Sequence, residues 1–527
     1  MQAVRRARST FLVAWAVLVL VRWALAAHVP LFVDEAFYWQ EGQHPAWAYS
    51  DLPGLTAWLI GLGTHLAGDS LLGVRWPFLL MVMAMPWLAV RAAWTLGPAR
   101  AWQAGTLVTL FPLLLPLGVL ALPDVPMNLA TVMCLLGGVL ALHKADWKAS
   151  FWLALGLVVG GLSHYRFLGV IAVGMMALLC LPQGRQALRN PRIWLAIGLG
   201  LLAWMPLIVW NLQHGEAGWR FQLLDRHPWR LQAAGLWFPL IQAALATPLL
   251  WLAMLIAATR VGSRWPLPVR WFALCGGLNV LGYFLLGFVA DTQRVSFHWP
   301  LPGYLALLVL VPGVLAAWSA WARTATVLIL GLGLLTAMGA ATWIGIPAAR
   351  SILAGSSHYP ENFAGWDELA QAVRTRLDAL PAGPRVIVDQ FKLGAELGFA
   401  LGDADIPVLE HPLNDRHGRS RQLQLWGLLQ AAAETGHWRL LVVADSDMGV
   451  NIRANHYQSL CQRLGALPAP EVVEVDQGAR RFLLFALPPG RHEGHCEIPF
   501  SLRPDTRADI AVHNKPLSAQ AFGTWHE

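Results

Sequence analysis

Residues 10–29 read TFLVAWAVLVLVRWALAAHV, and residues 33–39, just beyond them, read VDEAFYW. The first stretch has the length that a bilayer core demands of a helix, about 20 apolar residues. It follows Arg5, Arg6 and Arg8, and Ala24-Leu25-Ala26 offers a small-residue cleavage pattern. The apolar run continues to Val29, however, and many more such runs follow it. We therefore read it as an uncleaved first span, with Arg22 in its outer half reaching the interface or facing a cavity. The second stretch puts two adjacent carboxylates at a membrane surface.

Working outward, apolar runs recur at about 74–93, 101–119, 126–143, 149–163, 167–182, 193–211, 235–259, 270–290, 299–318 and 324–346. With the first, that is about eleven spans. Composition agrees. The chain of 527 residues is 56% hydrophobic and 13% charged, whereas soluble domains carry about a quarter of charged residues. The deficit excludes a soluble protein with one large core. The 28 Trp suit the membrane–water interface.

The net charge of +7 does not point to nucleic acid, because of where the charges fall. Fourteen basic residues, from Arg5 to Arg323, lie at the N-terminus or in loops on the N-terminal side. Five lie in the opposite loops between spans: Arg166, Arg220, Arg226, Arg230 and Arg294. The positive-inside rule then places the N-terminus in the cytoplasm and, with an odd number of spans, the C-terminal region in the periplasm. Acids show the reverse bias. Nine, from Asp34 to Asp291, fall in the outer loops, and Asp146 alone on the inner side. Acids do little to orient a membrane protein, so this gathering suits an outward-facing active site.

The expected organisation is a transmembrane domain over 1–346 and a periplasmic α/β domain over 347–527. The long first loop, 30–73, contains an interfacial helix over Gly54–Leu66. Strand-like runs occur at Arg385–Asp389 and Trp438–Ala444, and helical spacing over Trp366–Leu380. Cys461 and Cys496 lie in this part and could pair in an oxidising compartment.

Several outer-loop residues could carry chemistry. Asp34 and Glu35 suit a general base and its orienting partner. Asp51, in Tyr49-Ser-Asp-Leu-Pro53, and Asp124, in Pro123-Asp-Val-Pro126, are further carboxylates; a turn and a helix start are their plainer readings. Arg166 follows Ser163-His164-Tyr165, and Arg294 lies before His298. A guanidinium binds phosphate through two parallel hydrogen bonds. A lipid-facing Arg does the same for headgroups. Paired carboxylates could also hold a divalent cation, but no ligand set with metal spacing is visible. No P-loop, Rossmann glycine pattern or GxSxG is present, so a soluble nucleotide-dependent mechanism has no visible site.

The order of these motifs resembles that of the protein O-mannosyltransferase-like family 39 glycosyltransferases, of GT-C architecture, whose bacterial members include lipid A aminoarabinose transferases. The resemblance rests on Asp34–Trp39, Tyr49–Trp58, Leu72-Gly-Val-Arg75, Pro123-Asp124, Trp210–Gly215, His298–Pro302, Gly365–Leu369 and Gln422–Trp426. It implies transfer of a sugar from a polyprenyl phosphate to a periplasmic acceptor such as lipid A, an envelope glycan or a protein, usually with inversion. By position it implies Asp34 as the base with Glu35 beside it. Asp51 and Asp124 would line the same cavity with Tyr49, and His164, Arg166, Arg294 and His298 would face the donor phosphate. The chain departs from many relatives at Leu52, where they carry a basic residue, and near Ser163-His164, where they carry Lys. Phosphate binding would then rest on Arg166 and Arg294. A lipid-linked glycan transporter and a glycan-binding envelope scaffold are the rival readings. The first expects charges within spans, and the second leaves the outer carboxylates without a role.

Overall fold

The computed structural model describes residues 1–290, 296–381, 383–430 and 436–490. Arg294 and Cys496, both named above, lie outside these residues. The chain divides into two compact units, 1–28 with 44–341, and 29–43 with 342–527.

The first unit is helical. Among the described residues, six helices are long and apolar enough to cross a membrane: Gln2–His28, Leu71–Leu96, Asp124–His143, Pro191–Gln213, Leu267–Leu286 and Ala320–Gly345, the last of which runs on past the unit's end. Trp147–Gly161 and Phe167–Cys180 are shorter apolar helices, as is Leu55–Ala67 in the first loop. Three expected spans are broken. Residues 235–259 form two helices, Ala233–Ala246 and Pro248–Ala258, bent by 115°. Residues 101–119 divide into Pro98–Leu110 and Leu114–Leu117, and residues 299–318 into Leu301–Leu308 and Val311–Leu315. Each break has a proline within two residues of the start of its second helix: Pro112 before it, Pro248 at it and Pro312 just inside it. Proline lacks an N–H and pushes the preceding residue out of the helical region. Phe111 is extended and Thr247 has φ +67°.

Two arginines that sequence places near span ends are buried inside the unit. Arg22, 1% exposed, donates from Nη2 to the Thr109 carbonyl at 3.3 Å. Arg75 donates from Nη1 to the Ala26 carbonyl at 2.9 Å, satisfying a helix C-terminal acceptor. Arg22 therefore serves helix packing rather than reaching the interface.

Small residues let the Asp124–His143 and Trp147–Gly161 helices approach closely. A Cβ at Gly156 would lie 2.8 Å from the Ala130 carbonyl oxygen and 2.6 Å from Cys134 Sγ. Gly156→Val is expected to cost about 1–3 kcal/mol by overpacking, read as a lower melting temperature in detergent. Gly169→Ala, with nothing within 4 Å of the added carbon, serves as the unaffected control.

The second unit is an α/β domain. Its strands are β1 Arg385–Val388, β2 Val408–Leu409, β3 Leu429–Gln430, β4 Arg439–Val443, β5 Glu471–Val475 and β6 Arg480–Leu487. They pair in the order β3-β2-β1-β4-β6-β5. The first four in that order are parallel, and β6 runs antiparallel to both β4 and β5. β4 is buried along its whole length, as expected of a central strand covered on both faces. The two strand-like runs seen in sequence are β1 and β4, neighbours with Val388 opposite Val442. The expected helix is Trp366–Ala379.

Residues 29–43, expected to belong with the membrane domain, cluster instead with this unit. The Val33–Gln43 helix packs on the Phe391–Leu401 helix. Phe37 meets the Phe391 ring edge-on at 5.8 Å, Trp39 meets Phe399 at 5.4 Å, and Gln40 Nε2 donates to the Ala404 carbonyl at 2.8 Å. Aromatic residues spaced along a short helix need such a surface, and the partners lie more than 350 residues away in sequence.

Candidate functional site

In the first unit, Asp124 begins its helix and Pro126 sits in the first turn, where the missing N–H costs nothing. The Asp124 carboxylate faces Arg166, with Nη2 donating to Oδ1 at 2.8 Å. His298 Nε2 lies 3.5 Å from the same oxygen. All three side chains are at most 15% exposed. His164 accepts the Arg166 backbone N–H at Nδ1, 3.0 Å, and its Nε2 lies 3.3 Å from the guanidinium Nε. Burial and the adjacent guanidinium hold His164 well below the ordinary imidazole range, against the pull of Asp124. It is therefore neutral at physiological pH. Arg166 Nη1 is buried and has no hydrogen-bond partner among the described residues. An unpaired buried guanidinium N–H is costly, and it marks a place prepared for an acceptor.

Arg166 also lies over the Trp299 ring at 5.5 Å, and Arg226 lies 6.0 Å from the same ring. In sequence Arg226 and Trp299 carry no site role of their own, because interfacial Arg and Trp are common in any membrane protein. Arg226 is held by Gln222, whose Oε1 it approaches at 3.3 Å. Gln222 Nε2 in turn donates to the Asp51 carbonyl at 2.8 Å. This links the Asp51 turn to the cluster. Asp51 is 4% exposed, and the turn is closed by the Tyr49 N–H to Leu52 carbonyl bond at 2.9 Å. Tyr49 is fully buried; its hydroxyl donates to the His44 carbonyl and accepts the Ala46 N–H, both at 3.1 Å. It thus staples the loop. Asn211 of Trp210–Gly215 likewise ties Tyr165 to Trp219.

Below this cluster lies an apolar cavity of about 120 Å³. Phe167, next to Arg166, and Pro302, four residues after His298, both line it, together with Trp204, Leu157 and Ile171.

In the second unit the two adjacent acids part company. Glu35 is fully buried, and its Oε2 accepts the Phe32 N–H at 3.0 Å. That is the reach-back half of a capping box at the start of its helix. Asp34 is 34% exposed, and its Oδ1 accepts from Arg419 Nη2 at 3.2 Å. Arg419 Nη1 lies 3.9 Å from Glu41, and the guanidinium sits 4.0 Å from the centre of the Phe37 ring. His417 is close enough to Asp34 to feel its charge. Burial pushes its imidazole down to about 4, with Lys392 and Arg419 adding to this and Asp34 opposing it. A lowered folded-state value means stability is full above the unfolded value near 6.5 and falls as pH drops toward 4. The melting temperature is expected to decline across that window, and His417→Gln to flatten that part of the profile. Arg419 and His417 carried no signal in the sequence: 385 residues separate Arg419 from Asp34.

Among the described residues, neither acid pair joins a group of three metal-ligating side chains. The grouping that does is Asp389, His411 and His456 in the second unit.

Comparison with known proteins agrees with this architecture. Residues 51–210 match the family of dolichyl-phosphate-mannose-protein mannosyltransferases. The lipid A galacturonosyltransferase RgtD of Rhizobium johnstonii is 27% identical over 238 residues, 44% of this chain and 49% of that protein. The chain thus matches about half the length of this relative. The fold of ArnT from Cupriavidus metallidurans in the apo state superposes with a TM-score of 0.65, covering 92% of this chain and 99% of that one at 13% identity. ArnT bound to undecaprenyl phosphate gives 0.61 at 15% identity. The chain thus shares the fold of ArnT, and its residues 51–210 are similar to the mannosyltransferase family.

Proposed function

We propose that this protein transfers a sugar from a polyprenyl phosphate to a lipid A-like or other envelope acceptor on the periplasmic side of the inner membrane. The observation that carries the proposal is Arg166. Asp124 holds one end of its guanidinium, and buried Nη1 is left to meet an anion. His298 and Arg226 add donors and charge beside it. The apolar cavity beneath suits the first prenyl units of the donor, with the phosphate at Arg166.

In this reading Asp34 is the base. It takes a proton from the acceptor nucleophile as that atom bonds to the anomeric carbon. The bond from that carbon to the phosphate oxygen breaks, and the polyprenyl phosphate leaves with the electron pair. A guanidinium bound to the phosphate stabilises the departing charge. Asp124, paired with Arg166, acts as a positioning residue. Glu35 fixes the helix that carries Asp34.

The relatives support the substrate classes. The ArnT neighbour was solved with undecaprenyl phosphate, and RgtD is a lipid A galacturonosyltransferase. The test is incubation of the purified full-length protein with polyprenyl-phosphate sugars and lipid A acceptors, followed by mass spectrometry. A new glycoside with equimolar polyprenyl phosphate supports the proposal. Translocation of the intact lipid-linked sugar without transfer overturns it.

A further inference from the structure

The C-terminal unit holds a cluster outside the residues used above. Asp389 follows β1, His411 follows β2, and His456 lies on the Val450–Leu464 helix that follows β4. In an open parallel sheet, ligands bind beyond the carboxyl ends of the strands, at the point where strand order reverses. Here β2 lies to one side of β1 and β4 to the other, so these residues occupy that edge.

One ligand atom from each residue lies within 4.8 Å of the others. His456 Nε2 is 3.2 Å from Asp389 Oδ2, and the His411 and His456 rings are 5.0 Å apart at 76°. Tetrahedral ligands about 2.0–2.1 Å from zinc are about 3.4 Å apart. The Asp389–His456 pair already meets that spacing, and a small rotation of the third side chain closes the set. Asp389 is 1% exposed, and its Oδ1 has no hydrogen-bond partner among the described residues. A buried carboxylate oxygen left open beside two imidazoles is a place for a cation.

We propose that Asp389, His411 and His456 bind one first-row divalent transition ion, with zinc the best fit to two nitrogens and one carboxylate. Two imidazoles and a carboxylate disfavour magnesium and calcium, which prefer oxygen ligands. Three protein ligands leave a position for water or for an anionic group of a substrate. In the metal-free ring, His411 Nδ1 accepts the Leu413 N–H at 3.1 Å, capping the next helix. A neutral imidazole that ligates through either nitrogen loses that acceptor, so binding exchanges the cap for the ion. The inference is independent of the glycosyltransferase reading.

The test uses the full-length protein in detergent, stripped with chelator and titrated with zinc chloride by calorimetry. One equivalent per chain is expected, with a raised melting temperature. His411→Gln/His456→Gln is expected to weaken it at least about 100-fold, the upper end for disturbing a metal site's environment. The wild-type protein supplies a check that needs no folded variant: diethylpyrocarbonate labelling followed by peptide mass spectrometry. Zinc is expected to protect His411 and His456. An absent equivalent, an equivalent the double variant retains, or equal labelling with and without zinc overturns the proposal.

Discussion

Asp34→Asn is expected to lower sugar transfer by about 10²–10⁴-fold, the usual contribution of a general base, while the protein folds and inserts normally. Asparagine keeps the shape of the side chain and can still meet Arg419 through its amide oxygen. Arg419 retains Glu41 3.9 Å away and the Phe37 face 4.0 Å away. The substitution therefore removes basicity and little else. Glu35→Gln separates the two acids. Glutamine caps a helix almost as well, so this variant should lose stability modestly and keep far more activity than Asp34→Asn. Wild-type turnover by Asp34→Asn, measured as glycoside formed per minute, would remove Asp34 from the mechanism. So would equal losses in the two variants, which would mark the helix rather than the carboxylate as the sensitive feature.

Arg166→Ala carries the second large effect, and it acts on both binding and folding. A hydrogen bond to a charged group is worth about 1.5–3 kcal/mol, so donor affinity should fall roughly 10–150-fold. The same change leaves Asp124 buried without its guanidinium partner, and breaking a buried pair costs about 3–5 kcal/mol. The two effects separate in a double-mutant cycle. Arg166→Ala/Asp124→Ala should recover part of the melting temperature lost by Arg166→Ala, because no uncompensated charge remains. It should recover none of the donor affinity. Arg166→Lys keeps the charge but not the forked donor, and is expected to fall between. Unchanged donor affinity in a folded Arg166→Ala protein would refute the phosphate role. The wild type, titrated with polyprenyl phosphate in the same detergent, gives the reference.

Much of the fold was legible because it obeys one-dimensional rules. A bilayer sets span length, so Gln2–His28 and Asp124–His143 could be read as runs of apolar residues. β1 and β4 were visible as short apolar runs because β4 is buried along its whole length and β1 over its second half. β2 and β3, at two residues each, carry no period to detect. The broken spans were missed because a proline inside an apolar run does not reveal whether the helix merely kinks or, as at Thr247, turns by 115°. The residue types of the candidate site were legible too, since carboxylates in loops beside spans have few structural uses there. Their partners were not.

From the sequence by itself came the membrane class, the α/β tail and the residues worth watching, because hydrophobicity and charge are local properties of the chain. Tertiary structure alone decided the pairings. It set Arg166 against Asp124 across 42 residues and Arg419 against Asp34 across 385. It turned Glu35 into a cap and left Asp34 partly exposed, although the two are adjacent and chemically alike. Ion pairs and burial depend on which surfaces meet, and contact across hundreds of residues leaves no trace in the spacing of either partner.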